Sequence, residues 1–371
     1  MTAPVVPAYG VDTLAELLPS IGSRLRLPGA EDTLGLPDAD RYVVLLVDGL
    51  GWDVLAARAE RAPGLARLLE TARPISCGVP STTSTSITSL GTGLNPGRHG
   101  VAGYLFRFGG GLLNALSWGP GVDGLDVQPQ LTYLERLAKA GVAVSSVTPA
   151  RFRASGLTAC ALRGARFFDV KDEDDLHRRA ALVRQGALSG ERSLTYVYER
   201  RLDHTGHAHG AASRQWADEL ARVDRFVTDL RADLPDDVRI VVTGDHGMVD
   251  VPPDERLVLE DDPALRRHVA LVGGEPRFRQ LYCRPGTADD VAATWAETLG
   301  ERAWVRTRDQ AVAEGWFGPM SGAMAPRFGD VLVAMRGRHA VMSHTQPKEF
   351  GLVGMHGSLT PAEMTVPVLI G

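Results

Sequence analysis

Along this chain, short runs of apolar and β-branched residues alternate with longer amphipathic stretches. Arg41-Tyr-Val-Val-Leu-Leu-Val-Asp48 and Ile240-Val-Val-Thr-Gly-Asp245-His246 are almost unbroken apolar runs that stop at an acid. A run without polar alternation reads as a strand covered on both faces, as in a parallel sheet. The pattern predicts strands over residues 43–47, 74–77, 142–147, 194–198, 238–242 and 366–370. It predicts helices over 63–72, 83–90, 131–140, 172–185 and 213–234. Gly141 stops one helix, and acids then arginines order another as the helix dipole favours. In the longest helix Trp216, Leu220, Val223, Val227 and Leu230 form one apolar stripe, which is core packing. Such alternation implies an α/β fold: a doubly wound, mainly parallel sheet flanked by helices.

The pattern loosens between residues 252 and 345, where prolines and glycines are frequent. A helix over 288–299 and short strands near 281–283 and 331–335 are predicted there. This stretch reads as a smaller, cap-like insertion that packs beside the sheet and partly covers a site. Residues 1–251 and 346–371 then form the core. The Gly109-Gly-Gly111 tract is expected to be a flexible loop near that site.

Candidate chemistry sits at the ends of the predicted strands. Asp48 and Asp245-His246 each follow an apolar run, at the edge where open α/β sheets bind ligands. Asp203-His-Thr-Gly-His207 follows the run at 194–198, and Met355-His356-Gly lies near the C-terminus. Taken singly, each histidine is more often a hydrogen-bonded structural residue. Together the four phrases supply three Asp and three His, enough for two adjacent divalent ions. The donors suit zinc, with manganese as an alternative. Between residues 81 and 89 every residue except Ile87 carries a hydroxyl, which offers a nucleophile. The combination points to a two-metal hydrolase of phosphate esters.

Composition narrows the partners. The 371 residues are 44% hydrophobic and carry a net charge of −5, with both signs spread throughout. No basic patch suggests a nucleic-acid duplex. Arg178-Arg179 and Arg200-Arg201 have acids close by and read as solvated surface. Cys77, Cys160 and Cys283 form no disulfide or metal pattern and read as structural thiols. No apolar stretch spans a bilayer and no leader pattern begins the chain, so no membrane and a cytoplasmic location are expected. A small phosphate ester, such as a nucleotide, is the expected partner; oligomeric state is not readable.

From Tyr42 to the end, these motifs resemble the alkaline phosphatase superfamily, in particular its nucleotide pyrophosphatase/phosphodiesterase branch. The resemblance implies that Asp203, His207 and His356 hold one zinc ion. It implies that Asp48, Asp245 and His246 hold the other, together with the nucleophile oxygen. Thr92-Gly93-Leu94 matches a family Thr-Gly-Leu, and counting back from it aligns Val79-Pro80 with a family Phe-Pro and makes Thr83 the nucleophile. Thr82 and Thr85 read as caps or packing residues. The implied reaction passes through a phospho- or nucleotidyl-threonine. One position departs: the family asparagine that donates to the phosphoryl oxygen falls on Tyr104, whose phenol would donate instead, or which packs or stacks on a base. Asn114 is a further candidate for that donor. His204 and His209 are expected to flank the ligands, either packing behind them or on the surface, His99 to orient its loop, and Glu199, Arg200 and Arg201 at the pocket rim or on the surface. Alternatives on the same scaffold are a phosphomonoesterase or phosphonate hydrolase and a non-catalytic metal-binding module. A sulfatase is disfavoured because Cys77-Gly-Val-Pro-Ser81 has one residue too many and lacks the arginine of that branch. A cofactor-independent phosphoglycerate mutase shares only the Asp-Gly-x-Gly start seen at Asp48.

Overall fold

In the computed structural model, residues 3–119 and 121–371 are described. The central sheet has seven strands: β1 (Arg41–Val47), β2 (Arg73–Ser76), β3 (Ala143–Pro149), β4 (Arg166–Val170), β5 (Ser193–Glu199), β6 (Val238–Thr243) and, near the C-terminus, β11 (Thr365–Ile370). Their spatial order is β2-β11-β6-β1-β5-β3-β4. β1 lies parallel between β5 and β6, while β11 runs antiparallel to β6 and β2. The sheet is therefore mixed but mainly parallel.

Alternation along β1 divides the interior in two. Tyr42, Val44 and Leu46 enter one core, and Val43, Leu45 and Val47 enter the other. Both faces are covered, which explains why β1 shows no polar alternation. On the first face packs α1 (Thr83–Thr92), every residue of which is buried. The second face is covered by α2 (Leu176–Ala187) and α4 (Arg214–Asp233), with Trp216, Leu220, Val223, Val227 and Leu230 in the core. Between β5 and α4 runs α3 (Arg201–His209). The sequence pattern did not predict β4 or α3.

The stretch after β6 holds a second, antiparallel sheet of β7 (Val269–Glu275), β8 (Phe278–Cys283), β9 (Ala303–Thr307) and β10 (Val331–Met335), in the order β7-β8-β10-β9. A helix, Ala288–Leu299, seals one side with Val291, Trp295 and Leu299. Two buried ion pairs tie this sheet to the rest. Arg277, in the two-residue turn between β7 and β8, meets Glu363 through Nε at 3.0 Å and Nη2 at 2.6 Å. Arg279 meets Glu349 through Nη1 at 2.9 Å and also through Nη2. Gly109 and Gly110 form the turn of a hairpin, Leu105–Phe108 with Gly111–Asn114, instead of a loop at the site; both adopt positive φ, as a tight hairpin demands. Among the described residues no helix is long and apolar enough to cross a membrane.

Because Arg277 and Glu363 are both fully buried, removing one charge strands the other. Glu363→Gln is expected to lower unfolding free energy by about 3 kcal/mol. Urea melts of the two proteins check this, and equal midpoints would show that the pair does not fasten the second sheet.

Candidate metal centre and cavity

Register brings the candidate residues together. Val47 pairs with Glu199 and Leu46 with Thr243, so β5, β1 and β6 end side by side. Asp48 continues β1, Asp245-His246 follows β6, and α3 begins two residues past the end of β5. On α3, Asp203 and His207 are four residues apart and share one face, with Nε2 of His207 3.3 Å from Oδ2 of Asp203. Gly49 permits the close approach: it has φ +75°, and a Cβ there would lie 3.1 Å from the Cα of Asp203. His356 arrives from the C-terminal segment, where Gly354 and Met355 pair with Asp250 and Val249 just past His246. Its ring stacks on that of His246, centroids 3.6 Å apart.

Two groups result. The ligating atoms of Asp203, His207 and His356 lie within 4.8 Å of one another, as do those of Asp48, Asp245 and His246. The hydroxyl of Thr83, the first residue of α1, sits 3.4 Å from Oδ1 of Asp48 and 3.2 Å from Nε2 of His246. Thr82 precedes the helix without capping it, and the Thr85 hydroxyl donates to the Val101 carbonyl. Tyr198, on β5, donates its phenolic proton to Oδ2 of Asp48. Oδ1 of Asp245 accepts from the amides of Gly49 at 3.0 Å and His246 at 3.1 Å.

These donors fit divalent cations. Each imidazole has Nδ1 against a backbone carbonyl: Gly247 for His246, Gly354 for His207 and Ser81 for His356. A carbonyl only accepts, so Nδ1 carries the proton and Nε2 turns its lone pair to the site. Oδ1 of Asp203 and Oδ2 of Asp245 are buried without a hydrogen-bond partner. Among the protein's own groups the charge balance is poor. Burial raises Asp203 to about 6 and raises Asp245 far above the carboxylate range, with Asp48 adding repulsion to both. Burial alone would lower His246, but the Asp245 and Asp48 carboxylates outweigh it and lift it to about 10. Positive charge at each group would relieve all of these shifts.

A cavity of ≈ 370 Å³ opens onto both groups. Thr83, Tyr104, His204, Arg200 and Lys348 line it, and Ile87, Leu116, Phe152, Leu157 and Leu162 make an apolar wall. Asn114 lies elsewhere: its Oδ1 accepts from Leu116 and Ser117 amides, and it faces a separate cavity by the hairpin. His99 is buried, with Nε2 3.0 Å from the Ser89 hydroxyl and Nδ1 accepting from Val101, so it holds its loop. His209 is exposed at the end of α3. Glu199 and Arg179 depart from the surface reading. Both are buried and paired, Arg179 also donates to the Tyr198 carbonyl at 2.7 Å, and Arg222 adds a 2.9 Å contact to Glu199. Arg201 pairs with Asp174 and Glu219, and Arg200 with Glu173.

A family model described as type I phosphodiesterase/nucleotide pyrophosphatase matches residues 42–359. The chain belongs to that family. Within it, an 88-residue stretch is 32% identical to ectonucleotide pyrophosphatase/phosphodiesterase family member 7 of Mus musculus, and covers 22% of this chain and 20% of that protein. A 60-residue stretch is 37% identical to the catalytic subunit of GPI ethanolamine phosphate transferase 3 of Homo sapiens, covering 16% and 6%. The matched stretches thus span a small part of either relative. Among solved structures, murine ectonucleotide pyrophosphatase/phosphodiesterase 5 in complex with AMP superimposes with a TM-score of 0.70 at 15% identity, over 88% of this chain and 87% of that one. Phosphonoacetate hydrolase from Sinorhizobium meliloti 1021 in complex with phosphonoacetate gives 0.68 at 18% identity, over 88% and 89%. At such identities the likeness concerns the fold: a mainly parallel sheet flanked by helices, as in this family and the wider alkaline phosphatase superfamily.

The Arg179–Glu199 pair positions Tyr198 and so carries a pH dependence. Burial opposes ionisation of Glu199, but Arg179 and Arg222 win and hold it below its usual 4.5. A carboxyl depressed on folding stabilises above its unfolded value and loses that contribution as pH falls through its folded value. Glu199→Gln should therefore cost most near pH 7, with the gap to wild type closing in acid. Urea melts at neutral pH and near pH 3 test it; a gap independent of pH would contradict the assignment.

Proposed function

We propose that this chain is a metal-dependent phosphodiesterase/nucleotide pyrophosphatase with Thr83 as nucleophile. The observation that carries the reading is the Thr83 hydroxyl, set at the start of α1 between Asp48 and His246 and open to the cavity. Asp203, His207 and His356 would hold one divalent cation, and Asp48, Asp245 and His246 the other, zinc being the ion their donor chemistry suits best. Bound there, two such cations supply a lowered pKa for the hydroxyl and charge stabilisation for the attacking and leaving oxygens.

The chain's own residues do the rest. Thr83 Oγ1 bonds to phosphorus as the bond from phosphorus to the leaving oxygen breaks, giving a phospho- or nucleotidyl-threonine. Water then breaks the Oγ1–phosphorus bond and restores the hydroxyl. The position of Thr83 at the first turn of α1 turns free backbone N–H groups toward the phosphate. Tyr198 fixes one oxygen of Asp48 and so the face it presents. Tyr104, on the cavity wall, takes the place of the family asparagine as donor to a phosphoryl oxygen. The apolar wall of Leu116, Phe152, Leu157 and Leu162 accommodates an organic substituent, for which a nucleoside is the first candidate.

A second reading has one observation in its favour. Lys348 and Arg200 line the same cavity, and a phosphomonoesterase or phosphonate hydrolase would use such cations for additional negative charge. Arg200 is already engaged by Glu173 and Lys348 is exposed, so the diester reading is preferred.

The purified protein should carry about two divalent ions per chain, one for each three-residue group. Thr83→Ala should keep them and lose at least roughly 10³-fold in turnover, because the covalent step goes while six Asp/His ligands remain. Elemental analysis beside steady-state kinetics reads both. A nearly normal Thr83→Ala with a dead Thr82→Ala or Thr85→Ala would move the nucleophile.

A diester should be preferred to its matched monoester. It brings one ionised oxygen, which suits a neutral donor such as Tyr104, and its second substituent has the apolar wall. The ratio of kcat/KM for bis(p-nitrophenyl) phosphate to that for p-nitrophenyl phosphate measures this. A ratio below one would select the second reading and leave the Asp/His assignment standing.

A further inference from the structure

Three buried carboxyl oxygens among the described residues have no hydrogen-bond partner: Oδ1 of Asp203, Oδ2 of Asp245 and Oε1 of Glu275. The first two belong to the Asp/His groups. Glu275 belongs to neither. It ends β7 of the second sheet, is only 6% exposed, and lines the same cavity as Thr83, Asp48 and His356. Burial pushes its carboxyl up to about 8, and the Thr82 hydroxyl lies against it.

The surroundings are built to admit this carboxyl. Gly357 follows His356, and a Cβ there would lie 2.6 Å from Cγ and 3.0 Å from Cδ of Glu275. Any side chain at Gly357 would collide with the carboxyl's stem. The turn after Glu275 is pinned by Arg277 on Glu363, which fixes the backbone from which the carboxyl projects. The cavity's other glutamate, Glu349, is consumed by Arg279.

We infer that Glu275 is a specificity-determining residue that places a negative charge beside the phosphoryl group, and so selects monoanionic diesters over dianionic monoesters. The inference rests on the phosphodiesterase reading and deepens it. Charge accounting gives the direction. Asp48, Asp203 and Asp245 bring three negative charges, and the Thr83 oxygen a fourth once ionised, against four from two divalent cations. An ionised Glu275 then leaves the site net negative. A diester then adds one uncompensated negative charge and a monoester adds two, at close range and out of bulk water. The cations on the rim, Arg200 and Lys348, are paired or in solvent and offset this only weakly.

Glu275→Gln tests the inference at pH 9, where p-nitrophenyl phosphate is dianionic and a carboxyl raised to about 8 is ionised. The diester-to-monoester ratio of kcat/KM should fall about 10-fold, chiefly by a gain on the monoester. Inorganic phosphate, titrated calorimetrically into the metal-loaded protein without turnover, should bind more tightly by a similar factor. Glu275→Asp keeps the charge and should stay within about three-fold of wild type on both readouts. An unchanged ratio with unchanged phosphate affinity overturns the inference, as does an Asp variant that shifts as far as Gln. If wild type turns over neither ester, the phosphodiesterase reading falls and phosphate affinity alone decides the role of Glu275. Should the Gln variant fail to fold by circular dichroism, Glu275→Ser removes the same charge and carries the same expectation.

Discussion

Three carboxylates held within one buried cluster set the terms for the rest of this structure. Asp48 and Asp245 follow two adjacent strand ends and Asp203 sits on α3 just past a third; Asp48 raises the electrostatic cost of ionising the other two. Backbone amides, the Tyr198 phenol and the imidazoles take up some of that charge; two oxygens are left for cations. Such an arrangement survives only on a stiff frame. The frame is the parallel register of β5, β1 and β6, buried on both faces, with the Arg179–Glu199 pair locking the strand that delivers Tyr198.

The second sheet is joined to this frame through charge as well as packing. Arg277 and Arg279 lie two residues apart on one hairpin and reach Glu363 and Glu349 respectively. Two buried pairs are costly to form and costlier to break singly. Their effect is to hold the end of β7, and with it Glu275, against the cavity. Chemistry from the core and selectivity from the second sheet thus meet at one place.

Much of this was legible in the sequence because the decisive strands are buried on both faces. Unbroken apolar runs ending in Asp marked β1 and β6, and the register that unites them follows from the parallel sheet. The spacing of Asp203 and His207 was legible too, although the helix beneath them was not: Arg201–His209 is short and polar, with no apolar stripe to announce it. β4 was missed because Arg166-Phe-Phe-Asp-Val is a half-polar edge strand. Arg179 looked like a surface cation because its sequence neighbours are charged; only its partner, 20 residues away, shows that it is buried. Glu275 and Tyr198 carried no motif at all. Their roles come from tertiary placement; for Glu275 the related sequence feature is the glycine of Met355-His356-Gly357, whose Cβ would meet its side chain.

Much of the cavity's wall has a different origin from its floor, although Ile87 lies on α1 with Thr83. Leu116 comes from the segment after the hairpin, Phe152 and Leu157 from the connection between β3 and β4, and Lys348 from the segment leading to His356. None of these lies on the strand ends that carry the aspartates. A library confined to Leu116, Phe152 and Leu157 would therefore vary the apolar wall without touching any Asp or His of the two groups.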